Sequence, residues 1–105
     1  MNIIVRNKAK VPNKYIRFAK WKLRNVQEKF DQMLYAKLYV TSEGSRSTLY
    51  QTTFILGVPG HDIILKHRSE DLKSLLAESL DKVAISIRRY KDKRDEKSRI
   101  DLTGR

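Results

Sequence analysis

Residues 69–94 read SEDLKSLLAESLDKVAISIRRYKDKR, the longest helical pattern in the chain. Leu72, Leu76, Leu80, Val83, Ile87 and Tyr90 recur in steps of three and four, which at 3.6 residues per turn puts them on one face. That face is expected to be core. Ser69 stands where an N-cap would, and Glu70 and Asp71 supply negative charge that the helix dipole favours in a first turn. Toward the other end Lys82, Arg88, Arg89, Lys91, Lys93 and Arg94 crowd the last turns, far more cations than capping requires. Lys82, Arg89 and Lys93 are spaced by seven and four and form a ridge beside the apolar stripe. The pattern predicts a rod of positive charge with one buried side.

Outward from that helix, a second one is predicted from about Asn13, where Ile16, Ala19, Leu23, Val26 and Phe30 repeat in steps of three and four. Its remaining faces carry Lys14, Arg17, Lys20, Lys22, Arg24 and Lys29, together with Phe18 and Trp21, which lie far from the apolar stripe. Those two rings are covered by a neighbouring strand or the C-terminal tail, or they stack on an exposed base or ribose, or they meet a protein partner or are simply exposed. Four strands complete the pattern. Residues 2–8 are β-branched and break before Pro12. Residues 35–42 alternate, with Ala36, Leu38 and Val40 on the apolar side. Residues 49–58 are rich in Thr, Ile, Phe and Tyr, and residues 61–68 follow the Pro59-Gly60 turn. Short links join the last three strands into an antiparallel meander. The order β-α-β-β-β-α predicts an α+β fold, a four-stranded sheet with two helices packed on one face. Residues 1–94 form a single domain in this reading. Residues 95–105 lack an apolar period and read as a flexible basic tail.

The formal charge is +11, and its distribution says more than its total. Residues 1–30 hold nine Lys or Arg against one acid, residues 31–81 five against seven, and residues 82–105 nine against four. Positive charge confined to two segments fits a directed face for a polyanion, whereas solubility alone would not call for this segregation. The absence of cysteine excludes disulfides and thiolate metal sites. No apolar run approaches the roughly 18 residues that span a bilayer, so a soluble, cytoplasmic chain with no membrane association is expected.

Catalytic candidates are thin. His61 and His67 could serve as general acid and base on RNA. Six residues apart on a regular strand, they would be separated by about 20 Å and could not share one phosphate. No Gly-rich phosphate loop, metal-spaced cluster or nucleophile elbow occurs, so no enzyme activity, metal or cofactor is expected.

The segment Val58-Pro59-Gly60-His61-Asp62-Ile63, then Glu70-Asp71-Leu72, Asp81-Lys82-Val83 and Arg88-Arg89-Tyr90-Lys91-Asp92-Lys93, resembles the ribosome hibernation-promoting factors and ribosome-associated inhibitors. Met1-Asn2-Ile3 and the run from Lys22-Leu23 through Val26 to Glu28-Lys29-Phe30 are similar to the same family, so that the likeness covers residues 1–94. The pattern departs from it at Lys73, Ala77 and Ile85-Ser86. The resemblance implies a short-form protein that binds the small ribosomal subunit and its rRNA in the mRNA/tRNA channel and silences translation when growth slows. It also implies RNA contacts at Lys22, Lys82, Arg88, Arg89, Lys91 and Lys93. Arg17, Lys20, Arg24 and Lys29 join them on charge and helix geometry alone. Pairing of ribosomes would then need a second factor, or the protein blocks pairing and inactivates single ribosomes; the free chain is expected to be a monomer. The main alternative is a general module for double-stranded RNA, which would select shape without preferring the ribosome. A histidine-dependent RNA-cleaving toxin and a membrane-surface helix are weaker alternatives. The last is opposed by Phe18 and Trp21 lying on the cationic side of their helix.

Overall fold

The computed structural model describes residues 2–102, with side chains as far as Lys93. Its elements are β1 (Asn2–Asn7), α1 (Asn13–Lys29), β2 (Tyr35–Glu43), β3 (Leu49–Val58), β4 (His61–Ser69) and α2 (Leu72–Leu102). The strands form one sheet in the order β1-β2-β3-β4. β1 pairs parallel with β2 across the α1 crossover, and the other two pairings are antiparallel. The expected α+β arrangement is therefore the one observed, with both helices over one face of the sheet.

The sheet has one apolar face because its side chains alternate. In register, Ile3, Ala36, Leu56 and Ile63 form one inward row, and Val5, Leu38, Phe54 and Leu65 the next. Leu38, Val40, Phe54 and Leu56 have no exposed surface, and neither do Ala19, Leu23, Leu75 and Val83 from the helices above. Ile16, Phe30, Leu80 and Ile87 are buried with them, as the helical spacing predicts. Tyr90 packs edge-on against Phe30, with ring centroids 5.6 Å apart, and closes the core at the far end of the helices.

One polar contact sits inside this interface. The Thr52 and Ser79 hydroxyls are 2.7 Å apart and wholly buried, joining the centre of β3 to α2. Ser79 and Leu75 widen the buried stripe beyond the residues that the apolar period picks out, because a polar residue hides half of that widening.

Two expectations about α2 need correction. Its N-cap is Asp71, not Ser69. Asp71 Oδ1 accepts the N–H groups of Lys73 at 3.1 Å and Ser74 at 3.4 Å, and Oδ2 accepts the Ser74 hydroxyl at 2.8 Å. Ser69 is still the last residue of β4, and its hydroxyl accepts the Asp71 N–H at 3.1 Å, so a two-residue turn separates strand from helix. The helix also continues past Arg94, where the tail was expected, to Leu102. No glycine or proline occurs between Gly60 and Gly104 to stop it, and charged straight-chain residues are good helix formers. The rest of the expected tail, residues 103–105, lies outside the described residues. No helix among those described is long and apolar enough to cross a membrane.

Two turns have visible causes. Asn7 donates its amide to the Val11 carbonyl at 2.9 Å and accepts the Val11 N–H at 3.0 Å, which folds the β1–α1 link around Lys10, at φ 56°. Gly60, at φ 98°, takes the left-handed conformation that the Pro59-Gly60 hairpin requires.

The hydrogen bonds that Ser74 gives Asp71 hold its carboxyl below the usual carboxylate range, with smaller help from the Lys73 N–H and charge. A lowered folded pKa contributes stability that is present above the ordinary value and lost as pH falls through the lowered one. The melting temperature of the wild type should therefore exceed that of Asp71→Ala most above about pH 5, and the gap should close on acidification. A gap independent of pH would show that the charge of Asp71 does not cap α2. Removing the Thr52 hydroxyl as Thr52→Val should cost about 1–3 kcal/mol in urea unfolding, since Ser79 is left unpaired. The Thr52→Val/Ser79→Ala double variant should recover most of that loss, and purely additive losses would contradict a coupled pair.

Candidate nucleic-acid interface

α1 follows β1, α2 follows β4, and these two strands run in the same direction, so the two helices lie parallel side by side. Their facing flanks make a groove of about 350 Å³. Its floor is apolar, with Val26 of α1, Phe30 just past that helix's end, and Leu80, Ala84 and Ile87 from α2. Lys22 and Lys29 stand on one rim, and Arg88 and Lys91 on the other, with Asp81 the acid among them. Burial of the apolar stripes fixes the helix rotation, and rotation brings those four cations together.

The other expected cations lie elsewhere. At about 100° per residue, Arg17, Lys20 and Arg24 fall on the side of the α1 stripe away from the groove. Lys82, Arg89 and Lys93 likewise occupy the outer flank of α2. The charged helices thus present a basic groove bordered by two basic outer flanks, where the spacing alone suggested one merged patch. All ten of these cations are exposed except Lys20, which is half-buried.

Phe18 and Trp21 stand on the crest of α1 at 40% and 55% exposure, and no strand covers them among the described residues. Their ring centroids are 6.5 Å apart. The Lys22 ammonium lies 5.8 Å from the Phe18 centroid and 5.5 Å from that of Trp21, at cation–π distance from both. A cation, two exposed rings and a basic groove therefore adjoin one another.

Sequence spacing missed a second recess, of about 380 Å³, where Lys14, Tyr15 and Phe18 face Lys73, Leu76 and Ala77 near the helix N-termini. The available signal was the parallel order of the strands before the helices, which brings those two ends together. The histidines lie apart on β4. His61 packs edge-on against Tyr90 with centroids 5.5 Å apart, and His67 points its buried Nδ1 inward farther along the same strand.

No family model and no curated protein matches the chain in sequence. Among solved structures, the fold is similar to a ribosomal subunit interface protein from Coxiella burnetii, at TM-score 0.73 and 15% identity, over 88% of this chain and 99% of that one. It is also similar to the N-terminal domain of Protein Y from Thermus thermophilus, at TM-score 0.67 and 17% identity, over 85% of this chain and 94% of that one. At these identities the likeness is one of fold.

If Trp21 is a surface residue, Trp21→Ala should change unfolding free energy by no more than about 0.5 kcal/mol, whereas Leu23→Ala two positions on should lose about 2–5 kcal/mol. Denaturant titration of both variants measures this. A Trp21 variant as damaged as the Leu23 variant would return that ring to the core.

Proposed function

We propose that this protein is a non-enzymatic ribosome-binding factor of the hibernation-promoting type. It occupies the mRNA/tRNA channel of the small ribosomal subunit, binds rRNA through its helical layer, inhibits translation, and acts in the cytoplasm. The observation that carries this reading is the groove in which Lys22 and Lys29 of α1 meet Arg88 and Lys91 of α2. The fold shared with a protein named for the ribosomal subunit interface supports it, as does the resemblance of residues 58–93 to the hibernation-promoting factors.

The physical mechanism is electrostatic. Folded rRNA presents phosphates on several sides of a channel, and cations in the groove and on both outer flanks meet them across the width of the helical layer. Each neutralised phosphate releases condensed counterions, which drives binding and makes it salt-dependent. Arg88 and Arg89 can bridge two phosphate oxygens at once, while the lysines act as point charges. Phe18 and Trp21, with Lys22 against both, add a surface for stacking on an unpaired base. Inhibition then follows from occupancy, because messenger and transfer RNA would need the same space, and no bond has to be made or broken. In this reading the free protein is a monomer.

Affinity for small subunits measured over a salt series tests the site. Glutamine at Lys22, Lys29, Arg88 and Lys91 together should weaken binding and lower the log–log salt slope by about one per lost contact. Alanine at Lys82, Arg89 and Lys93 together should also lower it if the outer flank of α2 reaches rRNA. Slopes equal to wild type in both variants would remove the helical layer as the binding surface.

A further inference from the structure

The sheet face opposite the helices is open, and its side chains serve no core. Ile64 is 57% exposed there and Ile4 37%. On the central strand β2 this face presents Tyr35, Lys37 and Tyr39 in alternation. The Tyr35 ring lies down against Gly57, its register partner on β3. A Cβ at Gly57 would overlap the ring, so only glycine permits this close approach. The Tyr35 hydroxyl donates to Asp62 of β4, which is Gly57's partner in turn. The ring is thus fixed flat on the sheet at both ends, with the Lys37 ammonium over it, 5.3 Å from its centroid.

Tyr39 lies on the same side four residues along, about 13 Å away. Its row is flanked by Arg6 on β1 and, beyond Thr53, by Lys66 on β4. Arg68 adds a fourth cation, held at 2.9 Å by Gln51. The acids on this face are Asp62, already engaged by Tyr35, and Glu43 at the end of β2. A surface with this excess of positive charge repels its own copy and attracts a polyanion. Aromatic rings on a sheet stack on bases only where the bases are unpaired, since a duplex hides its base faces.

We propose that this open face binds single-stranded RNA. Tyr39 stacks on one unpaired base, Tyr35 stacks on a second once Lys37 swings from its ring to a phosphate, and Arg6 and Lys66 neutralise further phosphates between them. The two faces of the domain would then hold different RNA forms, structured RNA on the helices and unpaired nucleotides on the sheet. This goes beyond the helical-layer reading and does not depend on it.

The test uses a fluorescein-labelled oligouridylate in anisotropy titrations, in a background carrying Lys22→Gln, Lys29→Gln, Arg88→Gln and Lys91→Gln. Trp21 is the sole tryptophan and lies on the helical layer, so its emission reports binding there separately. The oligonucleotide should still bind this background, and adding Tyr39→Ala should weaken it about tenfold or more, as loss of one base stack does. Oligonucleotides carrying 4-thiouridine should crosslink to peptides of β2. Tyr39 is not the residue packed on Gly57, and an unchanged circular dichroism melt confirms that its variant is folded. Tyr35→Leu provides a second variant under the same control. Affinity unchanged in folded Tyr39→Ala, with crosslinks confined to α1 and α2, would overturn the proposal, as would concentration-dependent self-association that buries this face.

Discussion

Burial of a single face of the sheet is the constraint on which the rest of this structure depends. Alternation along β2 and β3 sends Leu38, Val40, Phe54 and Leu56 to one side, all without exposed surface. Both helices must cover that side, because each has only one apolar stripe to offer. Their strands of origin are parallel, so the helices lie parallel too, and their rotation is set by where Leu23, Val83 and Ile87 go. The cations have no part in that choice. They are carried to the surface by it, four of them onto the rims of one groove and six onto the outer flanks.

The same constraint leaves the other sheet face without a cover. Natural sheets that expose a face usually make it polar, and this one is polar in an uneven way, with isoleucines, two tyrosines and four cations. The Tyr35–Gly57–Asp62 row ties three strands together across it. The Asp62 hydrogen bond raises the Tyr35 pKa above that of a free phenol, with burial and the Asp62 charge adding to it. A raised folded pKa means that the neutral, bonded phenol is the stable form at neutral pH, and its contribution is lost only as pH rises through that raised value.

Much of this was readable in the sequence, for a physical reason. Periodicity reports burial, so spacing alone assigns Ile16, Ala19, Leu23, Val83 and Ile87 to the core, and the Pro59-Gly60 turn announces its hairpin. What periodicity could not report was anything decided by three-dimensional packing. Ser79 reads as a surface residue until Thr52 is found opposite it. Asp71 displaces Ser69 as the cap because the strand keeps Ser69 for itself. Spacing placed Lys82, Arg89 and Lys93 on one ridge correctly but could not say which flank of α2 would face α1. The flat setting of Tyr35 depends on residues 22 and 27 positions away, brought together by strand register alone, although a glycine inside a strand pattern was a visible sign of close approach. The basic segments were legible as charge, and their partner as a polyanion. The groove was not.

The proposed function requires a helical layer that prefers ribosomal RNA in its folded setting to RNA in general. Co-sedimentation of the purified protein with separated small and large ribosomal subunits, at two salt concentrations and with an RNA duplex as competitor, tests this most directly. Binding to the small subunit should be saturable, weaken with salt and survive the duplex. Binding shared equally among small subunit, large subunit and duplex would contradict it.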